Sequence, residues 1–352
     1  MNDFTIVIDN FHSALGLVAR QRKKYMPCEI IAASDFNSPS SLIKHLSRLP
    51  SERILFSWRG GLREALLNKK SRKMFLEMLE TKTIHLLIPD LLGLEEPNLT
   101  TESELLNCTH GYWVTSAELF EKYSLAFPER LPTGIFHDLP NIEAIVAKRN
   151  SWSSRSGVIW VGNSKWGSNF GFTDHKGFNE IIKPLSRLKS LANSIKIIDS
   201  AILRMENELV LDEIARSSFL LQASESEGTG LPILEALGLG TVPITTKVGI
   251  AEEILTGEFA SLIVDRNVES FSKKIEGIGV PDPKLVQGCI ELFDKYTSTI
   301  LREELQWDKT KIIFSDFEPR LSNSLFILIK WFYRYARDKD FWVSRKKNFL
   351  IK

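Results

Sequence analysis

The chain is poor in cysteine, lacks any long apolar run and carries almost no net charge. Its three cysteines, Cys28, Cys108 and Cys289, stand far apart. They form no C-x-x-C pair, so neither a zinc site nor a disulfide framework is indicated, and a reducing compartment is the simple reading. Nowhere do about 18 uncharged apolar residues follow one another, which argues against a membrane-spanning helix. Lysine and arginine number 45 against 44 aspartates and glutamates, a formal net charge of +1. That balance gives no global pull toward nucleic acid, so any charge argument must be local. The opening "MNDFTIVIDNF" is short, acidic and strand-like rather than basic and then apolar. The expectation is a cytoplasmic protein, or one lying on the inner face of the cytoplasmic membrane.

What is present is an ordinary soluble composition, 43% apolar and 25% charged over 352 residues, long enough for two domains and a cleft between them. Short apolar runs rich in β-branched residues recur: "FTIVID" (4–9), "CEIIAAS" (28–34), "RILFSW" (53–58), "TIHLLIP" (83–89) and "GYWVTS" (111–116). They lack polar alternation, as strands of a parallel sheet covered on both faces do. Between them lie helical stretches such as "SPSSLIKHLSRL" (38–49), opened by Ser and Pro and carrying Leu42, Ile43, Leu46 and Leu49 at helical spacing.

After the polar stretch "AKRNSWSSRS" (147–156) a second series runs "GVIWVGNS" (157–164), "SIKIIDS" (194–200), "SSFLLQAS" (217–224), "TVPITT" (241–246) and "ASLIVD" (260–265). The spacing predicts an α/β protein of two Rossmann-like halves, residues 1–148 and 149–318, facing one crevice at the carboxyl ends of their strands. From about residue 281 the pattern turns helical, and residues 319–352 are expected to return to the first half.

"SESEGTGLPILEALGLGTVPIT" (224–245) follows a buried strand. Thr229 or Gly230 can cap the ensuing helix and Pro232 fits its first turn. Gly228 and Gly230 allow close backbone approach, and the first-turn N–H groups form an anion seat. Glu227 before the helix and Glu235 inside it would repel a phosphate, but each can accept two hydrogen bonds from a vicinal diol. A nucleotide sugar offers two such diols with a diphosphate between them. The segment resembles the E-x7-E signature of GT-B glycosyltransferases, especially the retaining family 4 group, at most positions across about twenty residues, far more specific than a lone glycine motif. The resemblance implies that Glu227 contacts donor-sugar hydroxyls and Glu235 the ribose, with Gly228, Thr229, Gly230 and Leu231 around the diphosphate.

"GVIWVGNSKWGSNFGFTDHKGFNEIIKPL" (157–185) is similar to the first strand and loop of that family's C-terminal domain. Gly162, Lys176 and Gly177 match its phosphate-holding positions. Asn163 stands where the family has an arginine, and Lys165 is the nearest replacement, able to neutralise a phosphate but not to form a guanidinium fork. His175 is expected on the surface. In the N-terminal half the resemblance is weaker: "TIHLLIPDLLG" (83–93) and "LPTGIFHD" (131–138) occupy the places of a strand ending in His-Asp and of an N-G-[VI]-D turn. His12, Arg59 and Asp90 are the candidates for the acceptor side.

The implied activity is retaining transfer from a nucleoside-diphosphate sugar to a glycan or lipid-linked saccharide, in cell-envelope polysaccharide synthesis. Glu227 and Lys176 are the catalytic pair, front-side attack is assisted by the leaving phosphate, and no cofactor or metal is expected. The same architecture would also serve a sugar-nucleotide epimerase or a non-catalytic binding module. "DKD" (338–340) imitates a metal motif but sits in a helical, basic tail. Basic residues between Arg20 and Lys73, and the basic, aromatic tail "KWFYRYARDKDFWVSRKKNFLIK", would suit either an anionic membrane surface or docking of the tail on the first domain. No nucleic-acid module accompanies them.

Overall fold

The computed structural model describes residues 4–94, 99–149, 154–168, 172–188, 191 and 194–306. The segment 319–352, expected to pack back as helices, lies outside them, as do its basic tail and its Asp-Lys-Asp triplet. In the first lobe β1 (Phe4–Ile8), β2 (Cys28–Ala32), β3 (Arg53–Phe56), β4 (Thr83–Ile88), β5 (Gly111–Val114) and β6 (Gly134–Ile135) form one sheet ordered β2-β1-β3-β4-β5-β6. In the second, β7 (Val158–Gly162), β8 (Ile195–Asp199), β9 (Phe219–Gln222) and β10 (Val242–Thr245) are ordered β10-β9-β7-β8. Every pairing in both sheets is parallel. Ile6, Val7 and Ile8 are all buried, as are Ile54, Leu55 and Phe56, because helices cover both faces and leave no reason for alternation.

The helix opened by Ser and Pro spans Pro39–Leu46, with Ser38 and Ser41 in a reciprocal capping box and Leu42, Ile43 and Leu46 buried. Each lobe has its own apolar core, one around Phe56, Ile84 and Tyr112, the other around Ile159, Leu221, Leu237 and Phe293. Three details differ from the sequence pattern. The helix Ile142–Lys148, counted with the first half, packs into the second core through Ile145, which lies against Gly238; its apolar face finds the later helix rather than the earlier sheet. "ASLIVD" makes only one bridge, Thr245 to Ile263, because the 3-10 turn Gly257–Leu262 sets Phe259 over Gly288. The two-residue β6 is too short for any periodicity to reveal. Pro243, lacking an N–H, is tolerated because β10 is an edge strand.

Strand order reverses between β1 and β3 in one sheet and between β7 and β9 in the other. Ligands of open α/β sheets bind outside the carboxyl ends at such points, and here the chain following these strands lines one shared cavity.

Candidate active site

A cavity of about 530 Å³ lies between the lobes, within the ~300–1,000 Å³ typical of small-molecule sites. Asp9 and Ser13 after β1 and Pro89 and Asp90 after β4 form one wall, joined by Asp138. Gly162 at the end of β7 and Asn163 after it, Ser200 after β8, and Gln222 at the end of β9 with Ser224 and the run from Ser226 to Leu231 after it form the other, with Lys176 between.

Glu227 is the most heavily held side chain. Its Oε1 accepts from Lys176 Nζ at 2.5 Å, Gln222 Nε2 at 2.5 Å and Ser224 Oγ at 2.6 Å. All three donors converge on one oxygen, so the carboxylate is fixed while Oε2 remains for a ligand hydroxyl. Lys176 is steered from its other side by the Trp166 ring, 5.1 Å away. The loop before it is folded by an aromatic cluster: Trp166 and His175 stack at 4.3 Å and Phe172 meets His175 edge-on at 5.1 Å. His175, expected on the surface, is instead buried, with Nε2 donating to the Ser226 carbonyl at 2.9 Å. Burial, then the Lys176 charge, holds its pKa below the ordinary value, so it is a neutral strut between the Lys176 loop and the Glu227 loop.

Gly230 takes a left-handed φ of +80° as N-cap of the helix Leu231–Leu239, with Pro232 in the first turn and no side chain capping that end. Gly230 and Leu231 thus bring the positive end of the helix dipole to the cavity. Gly228 has a second reason for being glycine: a Cβ there would stand 1.8 Å from the Pro89 carbonyl oxygen, so the loop is docked on the first lobe. Thr229 Oγ1 completes this contact by donating to Asp138 Oδ2 at 3.0 Å. Asp138 is buried, and burial raises its pKa, with Arg22 and Thr229 opposing.

Of the residues singled out from the sequence, Gly162, Asn163, Lys176, Glu227, Gly228, Thr229, Gly230, Leu231 and Asp90 all line this one cavity. Four do not. Glu235 is buried behind it, its Oε1 accepting from Asn207 Nδ2 at 3.1 Å, and burial raises its pKa to about 7. Lys165 is exposed and outside the lining. Asn163 spends its side chain on the loop's own turn, accepting from Lys165 N at 3.0 Å, so it does not replace an arginine. His12 is exposed and bridges the lobes through its backbone carbonyl, which accepts from Arg204. Arg59 is tied to Asp90, Glu102 and Tyr123.

Asp9, Ser13, Asp138 and Gln222 escaped the sequence reading as site residues. Asp138 and Gln222 lie inside "LPTGIFHD" and "SSFLLQAS", where a polar residue ending an apolar run was the available signal. Among the described residues no group of three or more His, Cys, Asp or Glu is arranged to hold a metal ion, and no helix is long and apolar enough to cross a membrane.

Residues 183–279 match the family described as glycosyl transferases group 1, a span that holds Glu227 and Glu235 and begins after Lys176. No curated protein matches the chain in sequence. Among solved structures it is similar to sucrose-phosphate synthase from Thermosynechococcus elongatus, at 13% identity and TM-score 0.58, covering 88% of this chain and 98% of that one. It is also similar to Anabaena Alr3699/HepE in complex with UDP and glucose, at 12% identity and TM-score 0.58, covering 87% and 99%. An α,α-trehalose-phosphate synthase (UDP-forming) from Burkholderia vietnamiensis gives 10% identity and TM-score 0.60, covering 87% and 99%. The two facing lobes of this chain are thus a GT-B fold, and its second lobe carries a glycosyl transferases group 1 segment over residues 183–279.

Proposed function

We propose that the protein is a retaining glycosyltransferase that moves a sugar from a nucleoside-diphosphate sugar to a saccharide acceptor. The observation that carries this reading is the Lys176–Glu227 pair beside an uncapped helix start inside the interlobe cavity. A cation and a helix N-terminus suit a diphosphate, and a carboxylate with one free oxygen suits a sugar diol. Neighbours of the same fold solved with UDP, such as HepE, support the donor class.

In this reading the diphosphate lies over Gly230 and Leu231 with Lys176 against it, and Glu227 Oε2 accepts from the sugar hydroxyls. The acceptor oxygen bonds to the anomeric carbon as the bond from that carbon to the phosphate oxygen breaks. The acceptor's proton passes to the departing β-phosphate, on the same face, so configuration is kept. Lys176 and the helix dipole neutralise charge on the leaving group. Glu235, one helical turn after Leu231 and held by Asn207, is the group this reading assigns to the ribose.

Exposed Arg20, Lys23, Lys24, Lys44, Arg48, Lys69, Lys70 and Lys73 on the first lobe support an acceptor carried on an anionic membrane, as in envelope polysaccharide assembly. A thermal-shift panel of nucleoside diphosphates, followed by labelled donors with and without glycan lipid, tests the whole reading. Binding of one diphosphate and label transfer are expected. Interconversion of the free nucleotide sugar, or binding without turnover, would replace transfer by an epimerase or a binding module.

A further inference from the structure

A second cavity of about 240 Å³ adjoins the first in the N-terminal lobe. Leu15, Pro89 and Asp90 line both, so the two spaces meet at the carboxyl end of β4. The smaller one is otherwise formed around Trp58, the residue that leads from β3 into the helix Arg59–Leu67.

Two consecutive glycines, Gly60 and Gly61, occupy the first turn of that helix. Neither has the left-handed φ that would demand glycine, and each weakens a helix by about 1 kcal/mol relative to alanine. Their reason is Trp58: a Cβ on Gly60 would stand 2.5 Å from its indole and one on Gly61 2.9 Å. Both rings of the indole lie against the turn, with Nε1 and Cε2 at Gly60 and Cε3 and Cζ3 at Gly61. Trp58 belongs to none of the apolar cores, is only half-buried and lines the cavity. An indole packed for stability would be enclosed by apolar side chains; this one is held as a platform.

Asp90 is fixed at the junction. Its Oδ1 accepts from Arg59 and from Leu92 N at 2.9 Å, which leaves Oδ2 for a ligand. Arg59 is itself locked by Glu102 at 2.9 Å, beneath Gly93, where a Cβ would meet the Glu102 carboxyl at 2.2 Å. A flat aromatic face beside a fixed carboxylate matches one kind of molecule. The C–H face of a pyranose carries partial positive charge and apolar surface, which the electron-rich indole face attracts, while its hydroxyls donate to carboxylate.

We propose that this cavity is the acceptor subsite and receives a single saccharide ring, stacked on Trp58 with a hydroxyl donated to Asp90 Oδ2 at the junction with the donor cavity. At about 240 Å³ it falls below the ~300 Å³ lower range of drug-sized sites, so it holds one ring and not an oligosaccharide. The inference rests on the transferase reading and names its acceptor class.

The test uses protein labelled with 5-fluorotryptophan and saturated with the nucleoside diphosphate that binds it, titrated with a panel of methyl hexosides. The Trp58 resonance is assigned by its loss in Trp58→Phe. At least one hexoside is expected to shift or broaden that resonance saturably, with the other tryptophans unmoved. Trp58→Ala should weaken hexoside binding at least tenfold, Trp58→Phe less. Gly60→Ala, whose methyl displaces the indole, should weaken it like Trp58→Ala. Unchanged nucleotide affinity in all three variants shows that each is folded. A Trp58 resonance blind to every hexoside, or wild-type hexoside affinity in Trp58→Ala, would overturn the subsite. A wild-type protein that binds no nucleoside diphosphate would instead overturn the transferase reading, and this inference with it.

Discussion

The two walls of the crevice are built on opposite principles. On the second-lobe side, the functional groups are gathered locally: Gln222, Ser224 and Glu227 fall within six residues and bond one another, and only Lys176 comes from farther off. On the first-lobe side, charged groups from separate strand ends and helices neutralise each other, Arg59 with Asp90 and Glu102 and Arg22 with Asp138 at 3.7 Å. The first arrangement leaves a carboxylate oxygen and a helix start open to ligand. The second mainly holds the shape into which the acceptor fits. Damage to the first-lobe wall should therefore appear as lost stability, and damage to the second-lobe wall as lost chemistry.

The largest effect expected is Arg59→Ala. Glu102 is fully buried and Arg59 is 11% exposed, so truncation strands a buried carboxylate at a cost of about 3–5 kcal/mol. Urea denaturation reads this, and the double variant with Glu102→Gln should recover much of the loss. Next comes Glu227→Gln, which should lower transfer roughly 10²–10³-fold, the scale for one electrostatic contact in a transition state, with the denaturation midpoint nearly unmoved. Near-wild-type turnover would remove Glu227 from the site and erase the contrast between the walls.

Glu235 is an exception within the second lobe, because it is buried with only Asn207 as a side-chain partner among the described residues. Its folded pKa, about 7, exceeds the ordinary 4.5, so between these values the folded state binds more protons than the unfolded. Stability is then highest below pH 4.5 on this account and falls as pH rises to about 7, by up to roughly 3 kcal/mol. Unfolding free energies of wild type minus Glu235→Gln across that window should show the slope, and a flat difference would contradict it. Lys176→Ala should weaken nucleoside-diphosphate binding by about 1.5–3 kcal/mol, as loss of one charge-assisted hydrogen bond does, measured by calorimetry. Smallest is Thr229→Val, which removes the hydroxyl on Asp138 and should cost about 1 kcal/mol in stability, while Thr229→Ser keeps it. A large loss of nucleotide affinity in Thr229→Val would show that the first-lobe wall also shapes the donor loop.

The sequence alone placed nine of the ten strands, the helix starts at Ser38 and Gly230, and the neighbourhood of Lys176 and Glu227. These depend on apolar runs, caps and close spacing, which are local properties of a chain. Which acids would be paired was decided only by tertiary structure. Asp90 and Glu102 reach Arg59 from 31 and 43 residues away, and Asp138 meets Thr229 across 91, because strand order and lobe closure set those distances. The same holds for Trp58. Its sequence neighbours gave two glycines without a reason, and only the folded helix turn, with the indole laid against it beside a cavity, supplies one.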